Sequence, residues 1–290
     1  MRPDRAANMR VDSPPFAGPD SPPPFAVAAA AAFGAATLAA AAFSASGPDA
    51  VQAFLARGDA RAALSVLLSS ALPCAVALAV AASGAAAKPP ATPPGGAPKR
   101  FPARLRALLR MAPRGSGARG AEAAFFLLGA AVAAPALAML SVPVGLALEA
   151  LGFAPKPQFA AIVLGSPETG PATRLALALS VTALSPFAEE ILYRAVLWQG
   201  LCAVLRRRFP DGGARHGRKR VREGAGLPDA AAAVACALFF AALHASVWAF
   251  VPLALFALAL SGVYRRFSLG GAIALHAGFN AGGCLLALLA

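Results

Sequence analysis

Apolar residues in this chain do not alternate with polar ones; they come in long runs separated by short polar intervals. Uncharged runs cover Phe25 to Ser46, Ala62 to Ala87, Ala123 to Leu148 and Gly270 to Ala290, and each reaches the roughly 20 residues that carry a helix across a bilayer. Leu175 to Leu205 is nearly as apolar but is interrupted by Glu189, Glu190 and Arg194. A transmembrane barrel would show alternating segments of about ten residues, and these are absent. The pattern predicts an all-α fold, a polytopic transmembrane helix bundle. Phe159 to Leu164 is too brief to cross.

The run from Ala230 to Tyr264 is too long for one crossing, because as a single helix its 35 residues would extend roughly 52 Å against a hydrocarbon core of roughly 30 Å. Its flanks, Arg206 to Arg222 and Arg265 with Arg266, are both basic and belong on one side of the membrane. An even number of crossings satisfies that condition, so a turn is expected near Trp248 to Pro252. The chain then reads as about seven crossings, with the N-terminus inside and the C-terminus outside.

Composition agrees with this reading: 58% of residues are hydrophobic and 13% charged, against about 25% charged in soluble domains. A soluble monomer is excluded. The net charge of +13 would suggest nucleic acid in a soluble chain, but its location argues otherwise. Lys88 to Arg119 holds eight basic and no acidic residues, and Arg206 to Asp229 holds eight basic and three acidic ones. Few aromatic residues accompany them, so these stretches read as cytoplasmic loops obeying the positive-inside bias. The expected partner is the lipid bilayer, with no nucleic acid. The bacterial plasma membrane is the default location; an organellar or endoplasmic-reticulum membrane stays open. Cys74, Cys202, Cys236 and Cys284 lie within apolar segments without CxxC spacing and read as packing residues.

Residues 1–24, with seven prolines, are expected to form a disordered tail. Residues 25–87 form a two-helix N-terminal membrane module whose first run reads as a retained anchor. The basic, proline-rich stretch 88–121 is a cytoplasmic linker, and 122–290 is the core, with its motifs in 175–290.

Ionisable groups in a hydrocarbon segment cost about 2.5–3.5 kcal/mol each on insertion scales and are functional candidates by default. They are few: Glu189, Glu190 and Arg194 in FAEEILYR, His244 in FFAALH, and His276, with the carboxamide of Asn280, in LHAGFN. Glu190 and Arg194 are spaced i, i+4, so they share a helix face where a bidentate ion pair can form. That pair neutralises itself and needs no substrate. Glu189 points about 100° away and lacks that partner, which leaves it as the group free to act as a general base. His276 and Asn280 also share a face, and Gly278 with Gly282 forms a GxxxG face for close helix approach. One carboxylate, two imidazoles and a carboxamide from three helices can hold a water, take its proton and donate hydrogen bonds to a carbonyl oxygen as it becomes anionic. Those are the requirements of amide hydrolysis. Two plainer readings stand beside it: Asn280 as polar glue between helices, and a proton-coupled transporter, against which no inverted repeat is visible. His216, in the basic loop, reads as solvated.

The ordered set EExxxR (Glu189, Glu190, Arg194), FxxxH (Phe240, His244) and HxxxN (His276, Asn280) resembles the CPBP family. This family includes the type II CAAX prenyl endopeptidases, the lysostaphin-resistance-protein-A-like proteins and bacteriocin-processing or immunity proteins. The resemblance covers Leu175 to Ala290, including the Ser268-Leu269 lead-in. Tyr193 stands where the family often has Phe, and Ala195 where Gly commonly follows the Arg. The resemblance implies an intramembrane endopeptidase acting on a membrane-associated protein or peptide substrate, such as a CAAX-prenylated one. It makes Glu189 the base that activates water and His244 a group that holds that water. His276 and Asn280 stabilise the oxyanion, Glu190 and Arg194 support the helix, and Phe240 packs. A non-catalytic scaffold or immunity-type protein on the same motifs is the alternative. No cofactor is expected. The alternative is zinc, since Glu189, His244 and His276 could form a His₂Glu set; but HExxH is absent, and neither Asn nor Arg is a usual zinc ligand.

Overall fold

A computed structural model describes residues 54, 56, 58–86, 116–154, 159–208, 226–244 and 246–289. The tail 1–24, the first apolar run Phe25 to Ser46, most of the linker 88–121 and the basic loop 209–225 lie outside the described residues. Among the described residues there are helices and no strand. Along the chain they are α1 (Asp59–Ala86), α2 (Ser116–Leu128), α3 (Ala134–Ala150), α4 (Phe159–Gly165), α5 (Pro171–Leu179), α6 (Ser185–Glu190), α7 (Gln199–Arg208), α8 (Leu227–Leu243), α9 (Val247–Arg266) and α10 (Leu269–Leu289). Three π-helical segments, Gly129–Ala133, Ser180–Leu184 and Ile191–Trp198, fuse neighbouring helices. They join α2 to α3 in one rod, and α5, α6 and α7 in another that carries the glutamates. α2 starts within the last residues assigned to the linker.

Five stretches are long and apolar enough to span a bilayer: Asp59–Ala79, Ala121–Ala150, Pro171–Arg206, Val247–Arg266 and Leu269–Leu289. The chain is an integral membrane protein. Of the seven expected crossings, these five meet that criterion. α8, at 17 residues, would extend roughly 26 Å and falls short of a core of roughly 30 Å. The short run at Phe159 forms α4, a helix of only seven residues. Large apolar side chains such as Leu68, Met139, Leu146 and Leu255 are exposed on the outer faces, as expected where the surrounding solvent is hydrocarbon.

The turn within Ala230 to Tyr264 comes earlier than expected. α8 ends at Leu243, and Ser246 caps α9, its Oγ accepting the Ala249 N–H at 3.3 Å. Trp248 and Pro252 both lie inside α9. A serine that satisfies a free amide is a stronger start signal than a nearby proline, and membrane helices accommodate proline when neighbours supply the missing bonds.

α10 packs against both rods and α9, and its small residues make this possible. A Cβ at Gly278 would be driven into the Phe126 carbonyl, and one at Gly282 would stand 2.7 Å from Ala130 O. The GxxxG face therefore receives the first rod backbone to backbone. The main core joins Ile191, Leu192 and Ala195 of the acidic rod to Cys236 of α8, Phe256 and Leu260 of α9, and Leu275 of α10. α1 docks along the acidic rod. Asp59 accepts from the amides of Ala172 and Thr173 at 3.0 and 2.7 Å, where the unpaired N–H groups at the start of α5 favour an anion. Cys74, farther along α1, donates its Sγ–H to Leu184 O at 3.1 Å. All four cysteines are free, with Cys202 and Cys236 buried.

Candidate active site

The two glutamates close α6, the six-residue helix between two π segments. π segments inside α-helices concentrate at functional sites because they re-aim side chains. Glu190 is fully buried, while the Glu189 side chain is a quarter exposed. Adjacent residues on a helix face about 100° apart, and this rotation turns one carboxylate into the core and the other toward its edge.

Glu190 makes two contacts. Its Oε2 accepts from Arg194 Nε at 3.1 Å, and its Oε1 from His276 Nδ1 at 3.0 Å. The ion pair expected from the i, i+4 spacing forms, but through a single bond. The bidentate fork is absent because the second carboxylate oxygen is occupied by the imidazole. Arg194 Nη1 and Nη2 have no hydrogen-bond partner among the described residues; its Cζ lies 5.8 Å from the centroid of the Phe240 ring, within cation–π range.

Glu189 also has a partner one turn earlier in the helix. Ser185 Oγ donates to Glu189 Oε1 at 2.8 Å. The other oxygen, Oε2, is buried without a hydrogen-bond partner and stands 3.9 Å from His276 Nε2, too far for a direct bond. His276 thus lies between the two carboxylates, held by one and facing the other. A carboxylate only accepts, so the nitrogen against Glu190 carries the proton. Nε2 is then the free nitrogen that faces Glu189.

His244 caps the end of α8, half-buried, with Nδ1 2.8 Å from Phe240 O. A carbonyl also only accepts, so here again Nδ1 is the donor and Nε2 is free. The fully buried Phe240 ring packs against both imidazoles, tilted to His244 at 4.6 Å between centroids and edge-on to His276 at 5.8 Å. Tyr193, where Phe is commoner in the resembled motif, sets its ring edge-on to Phe240 at 5.1 Å. Ala195, in the position often held by Gly, is fully buried. Asn280 Nδ2 donates to Val181 O at 2.6 Å, so one of its two N–H groups is spent on the acidic rod.

The motif residues from three regions of sequence therefore converge: Glu189, Glu190 and Arg194 on the acidic rod, Phe240 and His244 on α8, and His276 and Asn280 on α10. Ser185 was legible as a serine one turn before Glu189; the Glu190–His276 bond, between residues 86 positions apart, left no local signal. Among the described residues no group of three or more His, Cys, Asp or Glu side chains is drawn together as a metal-ligand cluster.

Residues 171–282 match the family model described as type II CAAX prenyl endopeptidase Rce1-like. The matched segment runs from the start of α5 into α10 and contains every motif residue, whereas α1 to α4 lie outside it. No curated protein and no solved structure gives a significant match to the chain.

Proposed function

We propose that the chain, whose residues 171–282 match the Rce1-like type II CAAX prenyl endopeptidase model, is an intramembrane endopeptidase that hydrolyses a peptide bond of a membrane-associated protein with a water activated by Glu189. CAAX-prenylated chains are the first substrate class to try. The observation that carries the mechanism is the unpartnered Oε2 of Glu189, set 3.9 Å from the free Nε2 of His276 at the edge of the core.

A water held by Glu189 Oε2 and the lone pair of His244 Nε2 attacks the scissile carbonyl carbon while its proton passes to Glu189. The carbonyl oxygen becomes an oxyanion, which accepts from His276 Nε2–H and from the second N–H of Asn280. Oriented donors of this kind stabilise charge that develops only in the transition state. The carbon–nitrogen bond then breaks, and Glu189 returns the proton to the leaving amine. Donation from His276 Nε2 requires imidazolium, since Nδ1 already carries a proton. With Glu189 and Glu190 ionised and Arg194 charged, that imidazolium brings the cluster to zero net charge before the water is deprotonated. Glu190 holds the ring in register, and Ser185 fixes the Glu189 carboxylate. In this scheme no metal ion takes part.

The test is cleavage of a prenylated peptide by the detergent-purified full chain, with Glu189→Gln as the control. Cleavage by wild type and not by Glu189→Gln supports the proposal. A wild-type chain that binds such peptides and leaves them intact supports the scaffold reading.

A further inference from the structure

Val181, whose carbonyl Asn280 grips, lies in a π segment, and a proline follows five residues later. In the π register the Ser185 N–H bonds to Ser180 O. The next amide along the chain would serve Val181 O, but residue 186 is proline and has none. Asn280 Nδ2 reaches that carbonyl from α10 at 2.6 Å. The first rod repeats the arrangement: Ala134 N–H bonds to Gly129 O, and Pro135 follows. There the corresponding carbonyl, Ala130 O, faces the bare Cα of Gly282. α10 thus meets both rods at the carbonyls that face a proline in the π register, with a glycine at one and a hydrogen-bond donor at the other.

We propose that Asn280 and Pro186 are a matched pair in which Asn280 restores the hydrogen bond that Pro186 removes, making Asn280 a positioning residue for Glu189. The inference goes beyond the protease reading, because the bond exists whether or not a peptide is cleaved. A π bulge adds a residue to the turn and rotates everything after it by about 100° relative to the helix before. Glu189 and its partner Ser185 lie within that rotated stretch, with Pro186 fully buried between them. An unpaired carbonyl in this apolar setting is costly, so without Asn280 the segment is free to relax toward a register in which Glu189 is aimed elsewhere.

A double-mutant cycle tests the pairing, because Pro186→Ala returns an amide to the position that lacks one. Melting temperature and cleavage rate are measured on the full chain in detergent for Asn280→Ala, Pro186→Ala and the double variant. Asn280→Ala is expected to melt lower and to lower kcat with KM unchanged. Pro186→Ala alone should stay close to wild type, and the double variant should recover the melting temperature, while the part of the rate owed to the oxyanion donor that Asn280 supplies stays lost. Strict additivity in melting temperature, with the double variant no more stable than Asn280→Ala, overturns the pairing. Should the Pro186 variants fail to accumulate, hydrogen exchange decides. Asn280→Ala should speed amide exchange across residues 183–189, and unchanged exchange there overturns the proposal. Melting and exchange need no catalytic activity, so a failure of the pairing is distinguishable from a failure of the protease reading.

Discussion

Glu189 and Glu190 are neighbours in sequence and opposites in environment. Glu190 is fully buried between Arg194 and His276, so Glu190→Gln leaves a buried guanidinium without its counter-charge. Losing one partner of a buried pair costs about 3–5 kcal/mol. The expected outcome is a lower melting temperature and a reduced yield of folded protein. Glu189 keeps an oxygen free, so Glu189→Gln should fold like wild type while cleavage slows by about 10²–10⁴-fold, the range for a lost general base. The two variants behaving alike in both yield and rate would refute this division of roles. Metal dependence is settled at the same scale. Exhaustive chelation, followed by elemental analysis, is expected to leave cleavage intact; activity that disappears and returns with stoichiometric zinc would make Glu189, His244 and His276 ligands.

Among the elements, α10 carries the architecture on its glycines, against the first rod, and the chemistry on the opposite face, against the acidic rod. Gly278 meets the Phe126 carbonyl, while Gly283 has nothing within 4 Å of where a Cβ would stand. Gly278→Ala forces two helix backbones apart and should destabilise by about 1–3 kcal/mol, the usual cost of overpacking, with cleavage falling as His276 shifts. Gly283→Ala should be neutral or stabilising by up to about 1 kcal/mol, because alanine is the better helix former. Thermal melts of both variants check this; equal effects would mean that the close approach does not hold α10. Much of this element was legible in advance, since GxxxG and the i, i+4 pair His276 and Asn280 lie within one apolar run. The π segments were not. Two of them, Gly129–Ala133 and Ser180–Leu184, precede a proline that removes an amide, and at the second Asn280 of a neighbouring helix supplies a donor; only the proline is written locally.

For the whole molecule the open quantity is the number of crossings. The expected seven require both the run Phe25 to Ser46, which lies outside the described residues, and the short α8 to cross; a crossing α8 is what would put Arg206 to Arg222 and Arg265–Arg266 on the same side as Lys88 to Arg119. Cysteines introduced singly at Arg110, Arg215 and Arg266, in a chain whose own four cysteines are replaced, should react with an impermeant reagent only from the cytoplasmic side. Labelling of any one from the opposite face removes the seven-crossing arrangement.

What the sequence determined by itself is what depends on composition and short spacing. Long uncharged runs can be stable only as membrane helices, and the i, i+4 pairs Glu190–Arg194 and His276–Asn280 define faces regardless of what packs against them. Run length and basic flanks require a turn within Ala230 to Tyr264 but do not fix its place, and the structure sets it before Trp248 to Pro252, where Ser246 caps α9. The tertiary structure decided what depends on distant residues meeting: His276 settling on Glu190 while facing Glu189, Phe240 packing against both imidazoles, Asp59 and Cys74 of α1 gripping the acidic rod, and Asn280 reaching Val181. Each of these is a bond or contact between groups tens of residues or more apart, except where Phe240 meets His244. Such contacts form because unsatisfied polar groups in an apolar interior must find partners wherever the packing brings them, and which partner is in reach is a property of the fold.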